Sequence, residues 1–201
     1  ETLGGNWTTS ASGTNNEIFS NQVRCDVIVN GCAAVGAYNR NTTLSSFKDG
    51  FVALNNLVGG AANLRVNCRD HPSGLQRDNY QWYYTGTAWK IYRNINASES
   101  EIGTFTETVT AGNHTMMLEC TGNVMKGYVD NVNKVTSSAD DQWATGNVGT
   151  YDAQSGSGVV IFDNFAVCTT RDECETFAST GVAGASGRAG GPSAGNFFGV
   201  W

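Results

Sequence analysis

The run Tyr80-Gln81-Trp82-Tyr83-Tyr84 and the run Trp89-Lys90-Ile91-Tyr92 flank a short Thr85-Gly86-Thr87 segment, and together they carry the chain's best ligand-binding chemistry. Aromatic rings can stack on the apolar faces of sugar rings, and a lysine among them attracts an acidic group. A three-residue loop at 85–87 makes a hairpin in which Tyr83 faces Trp89 and Gln81 faces Ile91. Tyr80, Trp82, Tyr84, Lys90 and Tyr92 then share one face and form the candidate ligand surface. A two-residue turn would change these pairings, since a slip of one residue sends each side chain to the opposite face. The plainer reading is that the same aromatics line the inside of a sheet and are core.

Other candidates for chemistry are sparse. Glu99-Ser100-Glu101 sets two carboxylates two residues apart, which a strand would turn to one side. Retaining glycoside hydrolysis needs such a pair about 5–5.5 Å apart, one as nucleophile and one as acid. This pair ends a polar stretch, 94–101, that reads as loop, where solvated carboxylates need no function. His71 and His114 are the two histidines available for proton transfer. His71 lies in an Asp70-His71-Pro72 loop, and His114 begins a strand, where an edge position accounts for it. Asp130, Asp140, Asp141 and Asp163 could offer oxygens to calcium, the one cofactor the sequence suggests, though without EF-hand spacing. Isolated turn aspartates usually bond their own backbone instead. A serine nucleophile elbow, a phosphate loop and a dinucleotide fingerprint are all absent from the sequence. No catalytic or metal-ligating residue is therefore assigned, and the reading leans away from an enzyme.

The elements that would position these groups are strands. Asn113–Val135 reads most clearly: Gly122-Asn123 separates two alternating runs, a two-residue hairpin signal. Closing there pairs Cys120 with Met125, Glu119 with Lys126, Leu118 with Gly127 and Met116 with Val129. Apolar residues then share one face and opposite charges meet on the other. Asp130-Asn131 offers a second tight turn that continues the ribbon. In 64–69, Leu64, Val66 and Cys68 alternate inward and leave Arg65 and Arg69 outward. Cys68 and Cys120 thus both point inward and are the expected long-range disulfide. Cys25–Cys32 and Cys168–Cys174 would close local loops. Val159–Val167 is continuously apolar and reads as a buried strand. In all, about ten to thirteen strands with no convincing helix indicate an all-β, antiparallel two-sheet sandwich.

Composition narrows the partners. The 201 residues fit one domain, here 1–177, followed by a glycine-rich extension, 178–201. A net charge of −6 gives no footprint for nucleic acid. No apolar run approaches the roughly 20 residues of a membrane span, so membrane insertion is not expected. Six cysteines without zinc-type spacing point to an oxidised, extracellular, secreted protein. Sequons at Asn6, Asn41, Asn96 and Asn113 permit glycosylation, though chance alone gives about as many in a chain this rich in Asn, Ser and Thr. The extension ends Asn196-Phe197-Phe198-Gly199-Val200-Trp201. Phe197, Phe198 and Trp201 could anchor it along a β surface, of its own domain or of another copy.

The segments Trp89-Lys90-Ile91, Asn113–Lys126, Tyr128-Val129-Asp130, Gly146-Asn147-Val148-Gly149 and Ile161-Phe162-Asp163-Asn164-Phe165 resemble the concanavalin A-like, laminin-G-like jelly-roll superfamily. The likeness covers mainly 80–167. It implies a jelly-roll sandwich in which carbohydrate is a common ligand and calcium a frequent guest. Catalytic relatives usually carry Glu-x-Asp-x-x-Glu on the concave sheet, and this chain lacks it. The leading reading is a secreted, non-catalytic module that recognises carbohydrate. The alternatives are a structural subunit of an extracellular filament or coat, assembled through its tail with copies of itself, and a polysaccharide lyase or glycoside hydrolase with an unfamiliar site.

Overall fold

The computed structural model describes residues 7–9, 17–19, 22–26, 37–41, 44–58, 64–71, 78–96, 98–152 and 159–180. In chain order the first strands are β1 (Trp7–Thr9), β2 (Glu17–Phe19), β3 (Gln22–Asp26), β4 (Ala37–Asn41) and β5 (Gly50–Val58). Next come β6 (Leu64–Asp70), β7 (Asn79–Tyr84), β8 (Ala88–Ile95), β9 (Ser98–Thr106) and β10 (Gly112–Thr121). The last are β11 (Val124–Val129), β12 (Val132–Thr136), β13 (Asn147–Asp152), β14 (Val159–Cys168) and the helix α1 (Arg171–Thr180). They form two seven-stranded antiparallel sheets. The front sheet runs β1-β4-β13-β6-β7-β8-β9 and the back sheet β12-β11-β10-β5-β14-β3-β2. This is the expected jelly-roll sandwich.

The core fills the space between the sheets. Val66, Cys68, Tyr80, Trp82, Trp89 and Ile91 come from the front sheet and Val52, Leu54, Met116, Leu118, Cys120 and Met125 from the back. The β10–β11 ladder has the register read from sequence, from Met116 opposite Val129 to Cys120 opposite Met125. Gly122 (φ 60°) turns the first hairpin, and Asp130 (φ 47°) and Asn131 (φ 63°) turn the second, residues that tolerate the left-handed region. Lys126 Nζ donates to Glu119 at 3.0 Å, as the cross-strand charges require. The expected Cys68–Cys120 disulfide joins the two sheets through the core. Cys168–Cys174 also forms, whereas Cys32 lies outside the described residues.

Four expectations need correction. The aromatic hairpin has a two-residue Gly86-Thr87 turn, with Thr85 N–H donating to the Ala88 carbonyl at 2.8 Å, so Tyr84 pairs with Trp89 and Trp82 with Ile91. This register wins because it puts Trp82, Trp89 and Ile91 on one face, where they close the core together. The Trp82 ring stacks on Trp89 with centroids 5.1 Å apart. It also lies against Gly127, where a Cβ would overlap it. The polar stretch 94–101 is no long loop: β8 reaches Ile95 and β9 starts at Ser98, with Asn96 (φ 50°) at the turn. Asp78 Oδ1 accepts the Asn96 N–H and holds that turn.

Arg69 does not face outward like a strand residue. Its positive φ of 51° swings the guanidinium into a buried position, where it donates to the carbonyls of Lys48 (2.8 Å), Gly122 (2.8 Å) and Trp143 (3.1 Å). The fourth correction is the helix. Thr170-Arg171-Asp172-Glu173 has capping-box spacing with acids in the first turn, and Cys174, Phe177 and Ala178 follow at i, i+3, i+4. That apolar edge packs on Ala53, Met117, Tyr128 and Ala166 on the outside of the back sheet. The helix passes the 177/178 point at which the extension was set, and Phe197, Phe198 and Trp201 lie outside the described residues. Among the described residues no helix is long and apolar enough to cross a membrane.

Candidate functional site

Side-chain alternation turns the partners of the core residues to the outside of the front sheet. Register sets them in rows: Asn67 beside Gln81 beside Tyr92 beside Glu101, and Arg65 beside Tyr83 beside Lys90. A third row joins Asn94 to Asn79 and Asp70. There Asn94 Nδ2 donates to Asn79 Oδ1 at 3.1 Å, and Asn79 Nδ2 to Asp70 Oδ1 at 3.4 Å. An outer face this polar is ordinarily solvated, yet Asn67, Gln81, Asn79 and Asn94 have no exposed surface.

The polar groups are partly matched to one another. Arg65 Nη1 donates to Gln81 Oε1 at 2.7 Å and to Glu99 Oε1, with its guanidinium 4.0 Å from the Tyr83 ring centroid. Lys90 Nζ meets Glu101 Oε2 at 2.8 Å. The Tyr83 and Tyr92 rings stack with centroids 5.5 Å apart, Tyr83 buried and Tyr92 half-buried at the rim. Burial holds the Tyr83 hydroxyl well above the usual phenol range, against the pull of Arg65, so it stays a donor. The hydrogen bond to Glu101 raises the Lys90 ammonium and keeps it charged. Some atoms have no partner. Asn67 Nδ2 and Oδ1, Gln81 Nε2 and Asn94 Oδ1 are buried without a hydrogen bond. Each such group costs about 1–3 kcal/mol unless something bonds it.

The sequence-derived ligand surface divides between the two faces. Tyr80 and Trp82 are fully buried core, and Tyr84 packs beside them. Lys90 and Tyr92 stand on the opposite, outer face, so the five do not form one surface. Arg65, Asn67, Gln81, Tyr83 and Glu99 were missed. Their outward parity was readable in part, but polar residues on an outer face normally signal solvent, not a buried floor.

The remaining candidates are scattered. His71 packs against Trp143 in a tilted arrangement with ring centroids 4.6 Å apart, while His114 lies in the back sheet between Asp130 (2.7 Å) and the Thr110 carbonyl (2.9 Å). Asp140 is engaged by the Tyr80 hydroxyl (2.6 Å) and Arg93 (2.8 Å), which pins the 137–146 loop over the core's edge. Asp130 also accepts the Thr115 N–H, Asp141 is exposed, and Asp163 lies in β14. Among the sequons, Asn96 and Asn113 are exposed, Asn41 lies in β4, and Asn6 is outside the described residues.

No protein-family model and no curated protein matches the chain. Solved structures match it in shape at low identity. The carbohydrate binding module CBM66 from Bacillus subtilis is 12% identical with a TM-score of 0.62, over 80% of this chain and 93% of that one. The potassium-bound carbohydrate recognition domain of Emp46p is 10% identical with a TM-score of 0.56, over 78% and 85%. A Bacillus licheniformis beta-glucanase is 14% identical with a TM-score of 0.56, over 85% and 95%. Binding modules and a glucanase thus share this sandwich, and shape alone does not choose between them. The chain has the concanavalin A-like, galectin-like jelly-roll fold.

Proposed function

We propose that this domain recognises carbohydrate on the outer face of its front sheet, as a secreted, non-catalytic module. The observation that carries the reading is the rim there: the half-buried Tyr92 stacks on Tyr83, beside the Arg65–Glu99 and Lys90–Glu101 pairs and over the buried amides of Asn67 and Gln81. Amides and paired charges read hydroxyl positions, and an aromatic rim takes the apolar face of a sugar ring. Jelly rolls of the same shape are named as a carbohydrate binding module and a carbohydrate recognition domain, which supports the choice of ligand. Disulfides fit an oxidising, extracellular setting. Glu99 and Glu101 each face a cation, so they act here as acceptors for sugar hydroxyls.

A binding screen on immobilised glycans tests this reading. Binding is expected, with Tyr92→Ala weakening it about tenfold or more. A screen without any bound glycan, or a Tyr92→Ala protein that binds as the parent does, would overturn it. Release of new reducing ends from a bound glycan would replace binding by hydrolysis.

A further inference from the structure

We infer that Lys90 and Glu101 act as a pair that reads two neighbouring hydroxyls of a sugar ring seated on Tyr92; the inference rests on the carbohydrate reading and specifies its ligand. The two meet in a 2.8 Å ion pair whose side chains remain 26% and 37% exposed, so a ligand can reach both. Register ties the pair to the ring. Glu101 stands opposite Tyr92 across β8 and β9, and Lys90 lies two residues before Tyr92 on the same face. Lys90 Nζ is 5.8 Å from the Tyr92 ring centroid and 3.5 Å from its hydroxyl. Tyr83 takes one face of that ring, so the opposite face is the one a sugar can use.

An ammonium carries three N–H donors and a carboxylate about four acceptor sites, so the bond between them leaves donors on Lys90 and acceptors on Glu101. Donor and acceptor thus stand side by side, 2.8 Å apart. Gauche hydroxyls on adjacent ring carbons hold their oxygens about one hydrogen-bond length apart. One can donate to Glu101 while its neighbour accepts from Lys90, and the ion pair need not open. A lone hydroxyl must bridge both groups at an acute angle, and hydrogen bonds weaken steeply as they bend. Equatorial hydroxyls on alternate carbons lie too far apart to meet both groups. Linkage therefore decides which polymers comply. A 1,4-linked pyranose keeps neighbouring hydroxyls at C2 and C3, whereas a 1,3-linked one keeps C2 and C4, on either side of the linkage.

The test measures depletion of the protein from solution by β-glucan, β-galactan and β-xylan, each as the 1,4-linked and the 1,3-linked polymer. Long chains keep the contribution of their ends small. The 1,4-linked form of at least one sugar is expected to bind about tenfold or more tightly than its 1,3-linked isomer. Lys90→Met and Glu101→Ala each remove half of the reader and should bring the two isomers to within a few-fold of each other. Equal or tighter binding of the 1,3-linked isomers by the parent protein overturns the inference and leaves carbohydrate recognition intact. So does a folded Lys90→Met or Glu101→Ala protein that discriminates as sharply as the parent, since chain shape and not the pair would then select. Absence of binding to every polymer overturns the inference, and with it the carbohydrate reading when the immobilised glycans are also unbound.

Discussion

The two sheets share one core but treat their outer faces in opposite ways. Outside the back sheet, Ala53, Met117, Tyr128 and Ala166 are apolar and are covered by Cys174, Phe177 and Ala178 of α1. Outside the front sheet the buried residues include the amides Asn67, Gln81, Asn79 and Asn94 beside Arg65 and Tyr83, and several of the amide atoms lack a partner. The first face is complete within the chain, because apolar contact needs nothing more than a cover. The second is not, because each buried amide needs a directed bond. Stability is invested in the back face, and the recognition proposed above falls to the front one.

Both faces presuppose that the sheets stay together, so the largest effect should come from the bridge between them. Replacing Cys68 and Cys120 together by alanine should lower stability by about 4 kcal/mol in the chain-entropy model, read from the denaturant midpoint. Loss of Cys168–Cys174, whose partners are 6 residues apart, should cost only about 2 kcal/mol. Parity between the two would show that sheet-to-sheet linkage is not what the long bridge supplies.

Next is the cover of the back face. Phe177→Ala should cost about 3 kcal/mol by leaving a cavity under α1, measured by chemical unfolding, while the glycan binding proposed for the front face is retained. Loss of binding in a folded Phe177→Ala protein would break the separation of roles.

The back sheet should also respond to pH through His114. Burial pushes its imidazole down, but the hydrogen bonds to Asp130 and the Thr110 carbonyl and the nearby carboxylates outweigh this and raise it above the ordinary 6.5. Both ring nitrogens face acceptors, an arrangement that only the imidazolium satisfies. The raised folded value means that its stabilisation is full below about 6.5 and fades as pH rises through the folded value. The melting temperature should therefore fall across that interval, and His114→Gln should flatten the profile. An unchanged profile in the variant would assign the dependence to other groups.

The smallest change in stability belongs to the front floor. Asn67→Ala should shift it by no more than about 1 kcal/mol, because the unpaired amide it deletes was itself unfavourable. A large loss would mean that Asn67 has a structural partner, and the contrast between the faces would fail.

The parts of this molecule legible in sequence are those in which two local signals agree. β10–β11 has alternation, a Gly-Asn turn and a Glu119–Lys126 pair that all select one register. In Tyr80–Tyr84 four aromatics crowd five positions, so alternation is weak and one turn residue decides the faces. Helix α1 is too short for periodicity to speak, though its capping box was there to be read. The front floor was hidden for another reason. Burial of Asn67 and Gln81 depends on strands distant in the chain, and nothing local in Arg65-Val66-Asn67 distinguishes a closed face from a wetted one.

Arg69 has a consequence for the order of assembly. Its three carbonyl partners lie 21, 53 and 74 residues away along the chain, on the approach to β5, the β10–β11 turn and the loop before β13. Such contacts form only after both sheets have associated, since each needs a long loop to be closed first. They are expected to belong to the final locking of the native state and not to its nucleus. Arg69→Lys, which keeps the charge but loses the fork of donors, should leave the refolding rate nearly unchanged and speed unfolding. On that expectation this residue sets how long the folded domain lasts, and has little say in how quickly it arises.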